Sequence, residues 1–92
     1  MVHELLGHGE RNAKRAGELC AVLGISKREL RQIVQAERHG GEPILSGGAG
    51  YYLPSNSVEV DACVRFLRAM ARELFRTSAA IEAAAGENKW AN

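Results

Sequence analysis

Residues 15–39, RAGELCAVLGISKRELRQIVQAERH, are the stretch from which the fold can be read. From Arg15 to Leu23 the apolar residues Ala16, Leu19, Cys20 and Leu23 recur at i, i+3, i+4 and i+7, one face of a helix. Gly24 follows, the residue that best tolerates the left-handed backbone closing a helix C-terminus. Ser26-Lys27-Arg28-Glu29 has the form of a capping box, so a second helix opens at Ser26. Leu30, Ile33 and Val34 give it a buried stripe, and Gly40-Gly41 ends it. Cys20 is small where two helices joined by so short a turn must approach, and Ile25 is placed to fill the space beneath the turn.

Working outward, two short β-type runs follow Pro43. Ile44 to Ser46 and Tyr51 to Leu53 flank Gly47-Gly48-Ala49-Gly50, which reads as a hairpin. Alternation along its second strand predicts Tyr51 and Leu53 inward and Tyr52 outward. Pro54 and Ser55-Asn56-Ser57 then break the strand and offer N-caps. Val60, Val64, Leu67, Ala71, Leu74, Ser78, Ile81 and Ala85 alternate steps of four and three, a heptad pattern that predicts a helix from about Ser57 to Ala85. At about 1.5 Å per residue it is roughly 43 Å long, more than the preceding residues can cover. Its first part, Val60 to Met70, is expected to close the domain. Leu67, Ala71, Leu74, Ser78 and Ile81 are expected to pair with a second copy as a coiled coil, giving a homodimer. Before residue 15, Val2 to His8 is expected to form one or two helical turns.

The expected fold class is therefore mainly α with a small β-hairpin: residues 1–56 a helix-turn-helix with its hairpin, 57–86 the long helix, 87–92 a polar tail around Trp90. Ninety-two residues leave room for one core, and 46% hydrophobic with 25% charged residues is an ordinary globular balance. Formal net charge is +1, so any polyanion partner must be argued from where the basic residues lie. Cys20 and Cys63 fall on apolar helical positions and read as core thiols. No stretch has a signal-peptide pattern or the ~18 apolar residues of a bilayer span, so a cytoplasmic protein with no membrane partner is expected.

Opposite the stripe of the second helix lie Arg28, Gln32, Gln35 and His39, flanked by Lys27 and Arg31. Arg makes bidentate contacts to guanine and Gln to adenine, while Lys and Arg neutralise phosphates. Double-stranded DNA is the partner this face suits, with Arg28, Gln32 and Gln35 on bases. Lys27, Arg31, the upstream Arg11, Lys14 and Arg15, and Tyr52 are the backbone candidates. The helix pair followed at once by a hairpin resembles the winged-helix branch of the helix-turn-helix DNA-binding family. With Leu5-Leu6, Pro43-Ile44-Leu45-Ser46, Gly50-Tyr51-Tyr52-Leu53-Pro54 and a long Arg-bearing helix, the chain is similar to small prophage-encoded winged-helix proteins. That resemblance implies a phage-type transcriptional regulator or replication accessory.

Three features depart from a simple DNA-binding pattern. The hairpin tip, residues 46–50, carries no Arg or Lys. Glu37 projects onto the apolar face, where it must either snorkel out or pair with a helix neighbour such as Arg15 or Arg38. Arg65, Arg68, Arg72 and Arg76 form a basic stripe that suits either a solvated face or a phosphate track. A winged helix serving as a protein-interaction adaptor, docking through the long helix and Trp90, is the competing expectation. Catalysis is not expected: His3 and His8 are five apart, turning the rings about 140° from each other on a helix, so no zinc-protease motif forms. Gly48-Ala49-Gly50 leads into no helix N-terminus, and no nucleophile has an evident activating partner. Neither metal nor cofactor is called for.

Overall fold

The structure, a computed structural model, describes residues 1–86. The tail around Trp90 lies outside the described residues. Helices α1 (Ala16–Leu23) and α2 (Lys27–His39) are followed by strands β1 (Leu45–Gly47) and β2 (Gly50–Tyr52) and by helix α3 (Ser57–Gly86). Two 3-10 turns, His3–Leu5 and Glu10–Asn12, precede α1. The arrangement is a helix-turn-helix with a hairpin wing and a long C-terminal helix, mainly α with one two-stranded antiparallel sheet.

The turn forms as its residues dictate. Gly24 takes φ 67° and ψ 39°, the left-handed conformation, and its N–H bonds the Cys20 carbonyl. Ser26 caps α2: its hydroxyl accepts from the Glu29 N–H at 3.1 Å, and the Glu29 carboxylate accepts from the Ser26 N–H at 2.9 Å. Leu19, Leu30, Val34 and Ile44 are buried together with Val2 and Leu6, and Ile25, Ile33, Tyr51 and Leu53 pack against them. The N-terminal segment is thus part of the core, and only residues 3–5 of it are helical.

Strands β1 and β2 pair Leu45 with Tyr52, Ser46 with Tyr51 and Gly47 with Gly50, one residue displaced from the expected runs. Lys14 extends the pairing on the far side of β2, donating to the Tyr51 carbonyl at 2.9 Å and accepting from the Tyr51 N–H at 2.8 Å. Gly50 makes this approach possible. Its φ is +120°, and a Cβ there would drive into the Lys14 carbonyl.

Tyr52 corrects the expected orientation. It is only 6% exposed and packs with Leu45 and Cys63, on the face that α3 covers, with Val60 and Ala13 beside them. Alternation was right about which residues share a face, but both faces of this hairpin are covered. The long helix begins where expected. Asn56 caps it by accepting from the Glu59 N–H at 2.9 Å. The Glu59 carboxylate accepts from the Ser55 and Glu10 N–H groups, Ser55 first among the causes that hold it below the usual carboxylate range. The expected closure by Val60 to Met70 is shorter than predicted, because Cys63 is the last buried residue and every residue from Arg65 to Gly86 is exposed.

Glu37 does not pair with Arg15 or Arg38. Its carboxylate, 13% exposed, accepts from the Val2 N–H at 2.8 Å and the His3 N–H at 2.9 Å, and meets the His3 ring at Nδ1. Burial pushes its carboxyl up, but the His3 and Val2 N–H groups, the His3 ring and the terminal ammonium outweigh this and hold it at about 2. A carboxyl held below its unfolded value stabilises the fold above pH ~4.5, and that contribution drains away as pH falls toward 2. Glu37→Gln is expected to lower stability at pH 7 by about 1–3 kcal/mol. Urea melts across pH 2–7 check this: the gap to wild type should narrow below pH ~4.5.

Candidate nucleic-acid interface

Helix α2 carries five cationic or amide side chains on its outer half, and its two carboxylates are turned to other work. Glu29 is held at the N-terminus by Ser26, whose N–H, ahead of its hydroxyl, draws the Glu29 carboxyl below its ordinary value. Glu37 is held on the inner side by residues 2 and 3. Arg28, Arg31, Gln32, Gln35, Ala36 and His39 consequently line one open depression with no carboxylate among them. Lys27, Arg28, Arg31, Gln32 and Gln35 are all exposed. Among the described residues none of them forms a side-chain ion pair, which leaves their charges and amides unspent.

Arg38 is different, and its role was not apparent from the sequence. Its Nε donates to the Ile44 carbonyl at 2.7 Å and its Nη2 to the Ser46 hydroxyl at 3.1 Å. This guanidinium fastens the C-terminal turn of α2 to β1, fixing the wing relative to the exposed face of α2. A basic residue in the last turn of a helix suggests interaction with the helix's own carbonyls. Nothing in the local pattern points to a strand six residues on.

The upstream basic residues separate. Arg15 lines a depression of its own with Ser46, Gly47, Gly48 and Tyr51, so it stands beside the wing. Lys14 lies 4.0 Å from Glu18, an exposed pair one helical turn apart. Arg11 is exposed. The wing tip itself is uncharged, and the Glu10 carboxylate lies close to Gly47. Burial removes Tyr52 from the outward-facing candidates, and burial first, then Glu10 and Glu59, pushes its phenol up. On α3, Leu67, Ala71, Leu74, Ser78 and Ile81 are all exposed along the described helix.

Among the described residues no group of three or more His, Cys, Asp or Glu is placed to hold a metal ion, and no helix is long and apolar enough to cross a membrane. Both cysteines are free thiols, Cys63 buried and Cys20 half-buried. No protein-family model, curated protein or solved structure matches the chain.

Charge-assisted hydrogen bonds such as those of Arg38 contribute about 1.5–3 kcal/mol each. Arg38→Met, which keeps much of the aliphatic stem, is expected to loosen the wing. Amide exchange at Tyr51, whose N–H bonds the Lys14 carbonyl, should accelerate by at least about tenfold, while Leu30 and Val34 amides stay protected.

Proposed function

We propose that this chain is a winged-helix DNA-binding protein that lays the exposed face of α2 in the major groove of double-stranded DNA and acts as a dimer. The observation that supports it best is the clearing of α2: both its carboxylates are engaged elsewhere, while Lys27, Arg28, Arg31, Gln32 and Gln35 remain free on one side. A helix fits a groove ~12 Å wide, and this one presents donors suited to base edges alongside cations for phosphates. Arg28, Gln32 and Gln35 read bases in this scheme. Lys27 and Arg31 take phosphates, and Arg15, beside the wing, takes a further one. Backbone N–H groups at Gly48 and Ala49 are what the wing can add. A phage-type regulator or replication accessory in the cytoplasm is the role such a protein would fill.

A protein-interaction adaptor is the second reading. It is favoured by the +1 net charge, by the wing tip with Glu10 at its side, and by the apolar residues exposed along α3. DNA titration separates the two. Fluorescence anisotropy on mixed-sequence duplex should give binding that weakens steeply between 50 and 200 mM salt, as counterion release requires. Arg28→Ala with Arg31→Ala should lower the slope of log K against log salt by about 1, for the phosphate lost with Arg31, and weaken binding further at every salt concentration through the lost base contact of Arg28. Absence of binding at 50 mM salt, or a double variant that binds like wild type, overturns the DNA reading.

A further inference from the structure

Between the wing and the start of α3 lies an open cavity of about 420 Å³, a size that suits a small molecule. Gly47 and Gly48 reach it from the wing, Tyr52 from β2, Cys63 and Phe66 from α3, and Glu10 from the second 3-10 turn. The Glu10 N–H holds that turn in place by donating to the Glu59 carboxylate at 3.0 Å. Glu59 is engaged by this bond and by the Ser55 N–H at 2.8 Å. The Glu10 carboxylate is not: among the described residues it has no hydrogen-bond or ion-pair partner. It lies against the wing, where a Cβ on Gly47 would come 3.9 Å from its Oε2.

Tyr52 brings a second unspent group. It is only 6% exposed, and its ring packs with Leu45 and Cys63. Its hydroxyl has no protein partner among the described residues, yet no side-chain oxygen or nitrogen there is sealed from solvent without one, so the hydroxyl opens into the cavity that Tyr52 lines. Burial first, then Glu10 and Glu59, push this phenol up, the last two because they make the potential at its oxygen negative. Nothing nearby offsets that charge. No Lys or Arg lines the cavity; Arg38 is used on the Ile44 carbonyl and the Ser46 hydroxyl, and Lys14 stands beside Glu18. On a helical projection Arg65, Arg68 and Arg72 turn away from the side of α3 that carries Ala62, Cys63 and Phe66. Phe66, 56% exposed, leaves an aromatic ring uncovered at the same place.

We propose that this cavity binds a small organic cation, an ammonium group on a short apolar body, with the ammonium between the Glu10 carboxylate and the Tyr52 hydroxyl and the body against Phe66 and Cys63. Both oxygens accept from ammonium N–H groups, the carboxylate through a charge-assisted bond, and an aromatic ring adds its own attraction for a cation. A neutral ligand of the same shape leaves the Glu10 charge desolvated and unpaired, and an anion is repelled by it. A peptide laid along the wing is disfavoured, because the Ser46 carbonyl on the open side of β1 already accepts from the Cys63 thiol at 3.7 Å and strand addition needs such groups free. The occupant touches the wing and α3 at once, so binding holds the head and the long helix to each other. The site is separate from the exposed face of α2 and stands whether or not that face meets DNA.

Phenethylammonium titrated into the full chain and followed in amide NMR spectra tests this, beside phenylethanol and phenylpropionate, which keep the ring and change the charge. The expected result is saturable shifts centred on Glu10, Gly47, Gly48, Ala62, Cys63 and Phe66, with a dissociation constant of about 1 mM and binding at least about tenfold tighter than that of the alcohol or the carboxylate. Glu10→Gln removes a charge that no contact of the fold uses, and should weaken binding about tenfold while the Leu30 and Val34 amides keep their positions. Tyr52→Phe should weaken it by a smaller factor, through the lost hydroxyl alone. No saturation by about 10 mM phenethylammonium, shifts spread evenly over other exposed carboxylates, equal binding of phenylethanol, or a Glu10→Gln chain that binds like wild type overturns the proposal.

Discussion

Tyr51 and Tyr52 are adjacent in sequence and belong to two different hydrophobic clusters, and the rest of the molecule is organised by that division. A strand sends successive side chains to opposite faces. Here one face of a three-residue strand closes the helix-turn-helix core, while the other receives the first turns of α3. The hairpin is therefore the joint between the head and the long helix. Two constraints keep the joint narrow. Gly50 lets the backbone at Lys14 come close enough to pair with Tyr51, and Arg38 ties β1 to the end of α2. A wing made of so few residues would not hold its place through its own ladder. It is held by what lies on either side of it.

Glu37 plays the corresponding part on the other side of the head. A carboxylate near the core is costly unless its oxygens are satisfied, and this one gathers two backbone N–H groups from the N-terminal segment. The segment is thereby fixed with Val2 and Leu6 in the core. The same contact draws a negative charge off the outer half of α2. One interaction so serves packing and electrostatics together, and the basic character of α2 depends on where Glu37 points as much as on its arginines.

The sequence made the helix-turn-helix legible because its signals are local: a glycine able to turn left-handed, a capping box, and apolar residues one helical turn apart. The face with Arg28, Gln32 and Gln35 follows from the same periodicity. Three things did not follow. Periodicity assigns residues to a face without saying whether that face is covered, so Tyr52 was expected in solvent when α3 lies over it. The partners of Glu37 lie more than thirty residues away and two of them are backbone N–H groups, and backbone donors leave no trace in a side-chain pattern. The point at which α3 departs, after Val64, depends on how short the hairpin is, because the heptad spacing itself continues without a break. For the candidate interface, the missing information was occupancy: Arg38 and Lys14 look as available as Arg31 in sequence, and the fold has engaged them.

The departure of α3 divides the chain's stability into two kinds. Residues 1–64 have their own core, so their folding is unimolecular and independent of how much protein is present. The 22 residues beyond have only their own helix ladder, and an isolated helix of this length is marginal in water. In the proposed dimer their order is set by association and hence by mass action. Amount thus becomes a structural variable. On the proposed dimer, the chain at low abundance is a small head trailing a fraying helix, and at high abundance it is one of a pair of heads joined through α3. Any activity that needs two heads then rises more steeply than in proportion to the amount of protein made.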